Sequence, residues 1–167
     1  MTSLAESSRF TVADALRIAR EGHAEQVDKS GKPYIGHIWR VMGGVEGETE
    51  KMVAALHDYL EDVKGATPEG LRKMGVPQEV VDAVQALTKR KDEKGNDDGY
   101  FRFVRRAAQN PLARSVKRAD LADNTDPERV VVFVERSRVL ADELRRGAAE
   151  YRQVADTADS ALGEELR

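Results

Sequence analysis

The chain of 167 residues is long enough for one compact domain with a buried core and too short for two of ordinary size. Its composition, 40% hydrophobic and 34% charged, is that of a helical globular protein, and no apolar run approaches the roughly 20 residues that a membrane span needs. The absence of cysteine excludes disulfides and thiolate chemistry, and a net charge of −3 argues against general nucleic-acid binding.

The opening stretch, Met1 to Ser8, lacks the basic start and apolar run of a secretory signal. Residues 1–10 are therefore read as a flexible N-terminus, and the expected compartment is the cytoplasm. Thr11, with Asp14 three residues on, fits a capping box. The helix that it opens carries Ala15, Leu16, Ile18 and Ala19 and is predicted to end near Gln26, with His23 as a packing or hydrogen-bonding residue. Lys29-Ser30-Gly31-Lys32-Pro33 is a loop by composition. A second helix runs from about Tyr34 to Val41 and dissolves at Gly43-Gly44. Thr49 caps a third, Glu50 to Val63, which Gly65 closes. Thr67-Pro68 starts a short helix that ends at Gly75, and Pro77 opens the next, with Val80, Val81, Val84 and Leu87 at helical spacing. Residues 92–99 form a charged, glycine-bearing loop, read as a mobile flap. Tyr100, Phe103, Val104 and Ala107 make one apolar stripe, and Pro111 starts the helix that carries Asp120 and Asn124. From Glu128 to Leu166 one or two more helices are predicted, broken at Gly147, with Val130 to Val134 as a buried helical segment. The expected architecture is all-α: a single domain over residues 11–167, a bundle of about eight helices.

The chemistry concentrates in Ala54-Ala55-Leu56-His57-Asp58-Tyr59-Leu60-Glu61-Asp62-Val63. As one helix, this stretch stacks His57 under Glu61 and Asp58 under Asp62, an imidazole and three carboxylates on one patch. Carboxylates so close raise one another's pKa values unless a cation sits among them. Two readings follow, a solvated acidic face and a metal site. The rest of the chain supplies further donors. His37 follows Lys32-Pro33-Tyr34-Ile35-Gly36, and Asp120 shares a helix face with Asn124. His37, His57, Asp58 and Asp120 make two imidazoles and two carboxylates, a set suited to manganese, iron or zinc. A basic stretch from Gly99 to Ala119, including Arg102 and preceded by Lys89-Arg90-Lys91, suits a phosphate-rich small molecule.

The order His, then His-Asp, then Asp resembles the HD phosphohydrolase superfamily. The narrower resemblance is to the hydrolase domain of the RelA/SpoT homologues, whose stand-alone forms are the small alarmone hydrolases. It is carried by His23, Gln26, Lys29-Ser30-Gly31-Lys32-Pro33-Tyr34-Ile35-Gly36-His37, Leu56-His57-Asp58-Tyr59-Leu60-Glu61-Asp62 and Lys117-Arg118-Ala119-Asp120-Leu121-Ala122-Asp123-Asn124, in that order. It covers about Ala13 to Asn124, and the length leaves no room for the synthetase domain of a bifunctional alarmone enzyme. The resemblance implies removal of pyrophosphate from the 3′ position of a guanosine tetra- or pentaphosphate, with manganese bound. It implies that Glu61 and Asp62 position or deprotonate the attacking water, that Asn124 contacts the ribose, and that Lys29 lies against the base. Asp28 stands where the family usually has an arginine, so weakened base discrimination is expected, with selection by the edge of the base rather than its face and adenosine 3′-pyrophosphate analogues as further substrates. The alternatives are another nucleotide phosphohydrolase, such as a nucleotidase or a 2′-phosphatase on NADPH, and a non-catalytic nucleotide-binding domain.

Overall fold

The computed structural model describes residues 9–95, 97–132 and 135. The chain divides into two compact units, Met1–Asp126 and Pro127–Arg167, and the elements named below lie in the first. Eight helices run in order: α1 (Val12–Gly22), α2 (Ile35–Gly43), α3 (Glu48–Leu56), α4 (Tyr59–Asp62), α5 (Pro68–Lys73), α6 (Gln78–Leu87), α7 (Asp97–Gln109) and α8 (Pro111–Asn124). A 3-10 turn, Lys91–Glu93, precedes α7. Among the described residues the only β pairing is an isolated bridge, Val27 to Pro33, so the fold is all-α as expected.

Local chemistry sets most of the boundaries. The Thr11–Asp14 capping box is present, and α1 ends at His23, earlier than expected, because residues 26–34 turn into a tight loop. In that loop Asp28 N–H donates to Lys32 O, and Gly31 takes a φ of 77°, open to glycine. Thr67 accepts from Gly70 N–H ahead of α5, and Asn110 accepts from Ala113 N–H ahead of α8, each with proline at the first helical position. Helix α3 begins earlier than Thr49 predicts, because the Glu50 carboxylate turns back to Gly47 N–H at 3.0 Å.

The larger departure lies in the middle of the predicted third helix, which is two helices. The chain breaks at His57–Asp58, where Asp58 leaves helical geometry (φ −103°, ψ 1°) and α4 starts. The Asp62 N–H still donates to Asp58 O at 2.9 Å, so Asp58 and Asp62 keep their one-turn relation across the start of α4.

Helix α3 is central, packing against α1, α2, α6 and α8. Met52, Val53, Ala54, Ala55 and Leu56 are all buried. Each large aliphatic side chain so buried contributes roughly 1.5–3 kcal/mol. Gly44, after α2, lies where a Cβ would stand 2.8 Å from Ala119 Cβ, so the missing side chain lets α8 approach α2. Gly22 does the same against Tyr59, 2.4 Å from a ring carbon. The charged segment expected as a flap is anchored by Glu93, which is 4% exposed and ion-paired with Arg106 at 2.5 Å. Val130, Val131 and Val132 are helical, as expected, but Val131 and Val132 are 54% and 40% exposed rather than buried. The expected flexible start (residues 1–8), Phe133, Val134 and the predicted helices beyond residue 135 lie outside the described residues.

Candidate metal centre

Three side chains from three elements converge at the centre of the bundle: His37 from α2, His57 at the end of α3 and Asp120 from α8, all buried. His37 Nε2 lies 3.2 Å from His57 Nε2 and 3.4 Å from Asp120 Oδ1, and His57 Nε2 lies 3.9 Å from that same oxygen. Asp58 stands beside this trio, its Oδ2 3.0 Å from His57 Nε2 and accepting the Tyr34 hydroxyl. Atoms each about 2.1 Å from one ion stand roughly 3–3.4 Å apart. The separations of 3.0, 3.2 and 3.4 Å are of that size, and the 3.9 Å between His57 Nε2 and Asp120 Oδ1 is wider.

The other nitrogen of each imidazole fixes its tautomer. His57 Nδ1 faces the Ala54 carbonyl at 2.7 Å, and His37 Nδ1 faces Asp123 Oδ2 at 2.6 Å. A carbonyl and a carboxylate only accept, so both Nδ1 atoms carry the proton and both Nε2 atoms present lone pairs. Two lone pairs then face each other across 3.2 Å with a carboxylate at hand, an arrangement that needs a cation. Without a metal ion, a proton takes that place. Burial alone would lower the pKa of His57, but Asp58 and Asp120 outweigh it and raise the group to about 9. Asp58 is likewise held well below the ordinary carboxylate range, since the His57 charge overcomes the opposing effect of burial. The expected mutual raising of crowded carboxylates does act on Asp58, from Asp120, but the His57 charge outweighs it. Asp120 is also lowered, against burial, by His37 and by Lys117, whose Nζ lies 2.7 Å away.

The remaining predicted site residues divide into two groups. Glu61 and Asp62 sit on α4, one turn past Asp58. Glu61 accepts Lys89 N–H at 3.2 Å and pairs with Lys94 at 3.3 Å, while Asp62 accepts the Gln26 amide at 2.7 Å. Asn124 is the last residue of α8, with Thr125 as the C-cap, and its amide donates to Asp120 Oδ1 at 2.6 Å. Lys29 is exposed on the loop before α2. Asp28 lies in the same loop. Its side chain is 4% exposed, its Oδ1 accepts Ser30 and Lys32 N–H within its own loop, and its Oδ2 lies 3.7 Å from Arg40. Arg102 is engaged with the backbone oxygen and carboxylate of Asp92, and none of its described contacts reaches the histidines.

Three contributors carried no metal-site reading in the sequence. Tyr34 caps Asp58, Asp123 orients His37 and is itself held by Arg40 at 2.6 Å, and Lys117 pairs with Asp120. The signal for Asp123 was available, because Asp120, Asp123 and Asn124 follow i, i+3, i+4 spacing on one helix.

No family model matches the chain. The guanosine-3′,5′-bis(diphosphate) 3′-pyrophosphohydrolase of Aquifex aeolicus (strain VF5) is 30% identical over 115 residues, which is 66% of this chain and 16% of that protein. The chain thus spans about a sixth of the length of this curated relative. A solved structure of a metazoan orthologue of SpoT, described as hydrolysing ppGpp and playing a role in starvation responses, superposes with a TM-score of 0.58 at 27% identity. That match covers 68% of this chain and 67% of the other.

Proposed function

We propose that the chain is an HD-domain hydrolase of the RelA/SpoT type and that it removes pyrophosphate from the 3′ position of guanosine tetra- and pentaphosphate alarmones, a reading supported by its similarity to the two ppGpp hydrolases above. The observation that carries the reading is the pair of Nε2 lone pairs closing on Asp120 Oδ1, with Asp58 beside them and Glu61 and Asp62 one turn beyond.

His37, His57, Asp58 and Asp120 would hold one divalent ion, and their mixed nitrogen and oxygen set suits manganese, with iron or zinc the other candidates. When bound, the ion supplies a Lewis acid for the phosphoryl oxygens and lowers the pKa of its water. The protein does the rest. Asp123 and the Ala54 carbonyl hold the two imidazoles by Nδ1, so both rings face inward in a single tautomer. Tyr34 holds Asp58 on the same side as His57. Asp62, carrying a free lone-pair side opposite Gln26, accepts the proton of the attacking water, and Glu61 orients that water. The water oxygen bonds to the phosphorus attached to the 3′ oxygen as that oxygen–phosphorus bond breaks, and the departing 3′ oxygen takes the proton that Asp62 accepted. Asn124, beside Asp120, is the ribose contact, and Lys29 faces the base from the loop. Asp28 builds that loop. Arg102 remains the phosphate contact proposed from the α7 cation stretch. The cell compartment proposed for this activity is the cytoplasm.

The test is a substrate panel with manganese ion: guanosine 3′,5′-bis(diphosphate), its adenosine analogue, a nucleoside 5′-monophosphate and NADPH, with products resolved by anion exchange. Guanosine 5′-diphosphate and pyrophosphate in equal amounts are expected from the first. An intact bis(diphosphate) alongside a hydrolysed NADPH or monophosphate refutes the assignment.

A further inference from the structure

His23 is 3% exposed, sits at the C-cap of α1 and takes no part in the three-residue metal cluster. Its Nδ1 lies 2.6 Å from Gln26 Oε1, and Gln26 Nε2 donates to Asp62 Oδ2 at 2.7 Å. The ring stands against Tyr34 and Tyr59, with centroids 4.9 and 6.1 Å away, and its Nε2 is buried with no hydrogen-bond partner. A buried histidine among aromatic rings is ordinarily packing. This one ends in an amide aimed at a carboxylate of the reaction centre.

We propose that His23 and Gln26 are positioning residues for Asp62, acting as a two-link hydrogen-bond chain that holds its carboxylate in one orientation. The inference rests on the reading of Asp62 as the proton acceptor for the attacking water.

The direction of the chain follows from donor and acceptor counts. A carboxylate only accepts, so Gln26 must turn its NH2 end to Asp62 and its Oε1 to His23. That oxygen needs a donor, and His23 supplies one only when Nδ1 carries the proton. In the other tautomer two lone pairs would face each other across 2.6 Å, and an N–H would be buried among rings without an acceptor. Orphaned N–H groups are rarer in folded proteins than under-satisfied acceptors. The unpartnered Nε2 is therefore the expected mark of this tautomer. The lever is also fixed at its base: Gln26 N–H donates to His23 O at 3.0 Å, and Gln26 O accepts Tyr34 N–H at 2.9 Å. With Oδ2 held, Asp62 keeps Oδ1 for the water.

The experiment compares wild type with Gln26→Leu, His23→Leu, His23→Asn and the Leu/Leu double variant, on guanosine 3′,5′-bis(diphosphate) with manganese ion. Either leucine substitution is expected to lower kcat by on the order of 10–100-fold, the scale of a misplaced reacting group, with KM and metal content unchanged. The double variant should lose no more than Gln26→Leu alone, because both changes cut the same chain. His23→Asn, whose amide N–H stands near the position of Nδ1–H, should recover most of the rate. Wild-type kcat in His23→Leu, additive losses in the double variant, or losses that track metal content overturn the proposal. Nitrogen-15 spectra of the wild-type histidine rings give a readout that needs no variant and no turnover: a proton on His23 Nδ1 is expected, and one on Nε2 overturns the chain. Absence of turnover in wild type would instead strike the reading of the reaction, while the ring spectra would still decide the geometry.

Discussion

Two imidazole nitrogens 3.2 Å apart, each with its partner nitrogen already donating elsewhere, cannot bond to each other. The chain tolerates this pair only with positive charge between the rings, and Asp58 and Asp120 draw that charge in. Asp123 decides how well His37 performs. It receives Nδ1–H at 2.6 Å and is steadied by Arg40, so it fixes the orientation of the ring. Asp123→Ala is expected to weaken manganese affinity by about 10–100-fold without unfolding the protein, as read by titration calorimetry beside a thermal melt. Unchanged affinity would remove Asp123 from the site. The three clustered donors, His37, His57 and Asp120, were legible in the sequence as residue types in order, because imidazole and carboxylate are the side chains that suit a divalent ion in a chain without cysteine. The orientation of Asp28 was not. Its two N–H partners lie two and four residues on, in a loop whose closure depends on the Val27–Pro33 bridge.

At the scale of elements, the caps were legible because they are local: Thr11 with Asp14, Thr67 with Pro68, and the proline that opens α8 each satisfy orphan backbone groups within a few residues. The break between α3 and α4 was not legible. Helical spacing of the apolar residues continues through His57 and Asp58, while the forces on the pair come from Tyr34, His37 and Asp120, which are distant in sequence. Close approach of α2 and α8 matters equally, since these helices bring His37 to Asp120 and Asp123. Gly44→Ala places a methyl 2.8 Å from Ala119 Cβ, a distance that real Cβ atoms do not adopt, so one helix must shift. The expected outcome is a loss of about 1–3 kcal/mol in stability, the cost of overpacking, together with weaker metal binding. Chemical denaturation and metal titration of the same sample check it. A variant with both properties intact would show that α2 and α8 are free to separate.

In the first compact unit as a whole, α3 supplies a buried spine and α2, α3 and α8 bring the clustered donors His37, His57 and Asp120 together, so the centre is held by elements far apart in the chain. Glu61 and Asp62 stand outside the ligand set and are tied to different parts of the fold, Glu61 to the backbone of Lys89 and to Lys94, Asp62 to Gln26. That division predicts one ion for binding and two carboxylates for proton handling. The most direct measurement is a titration of metal-stripped protein with manganese ion while the release of pyrophosphate from guanosine 3′,5′-bis(diphosphate) is followed. Activity should be absent at the start, rise linearly and level off at about one equivalent, as a single-ion centre requires. Turnover by the stripped protein, or a rate that levels off only after two or more equivalents, would contradict the account.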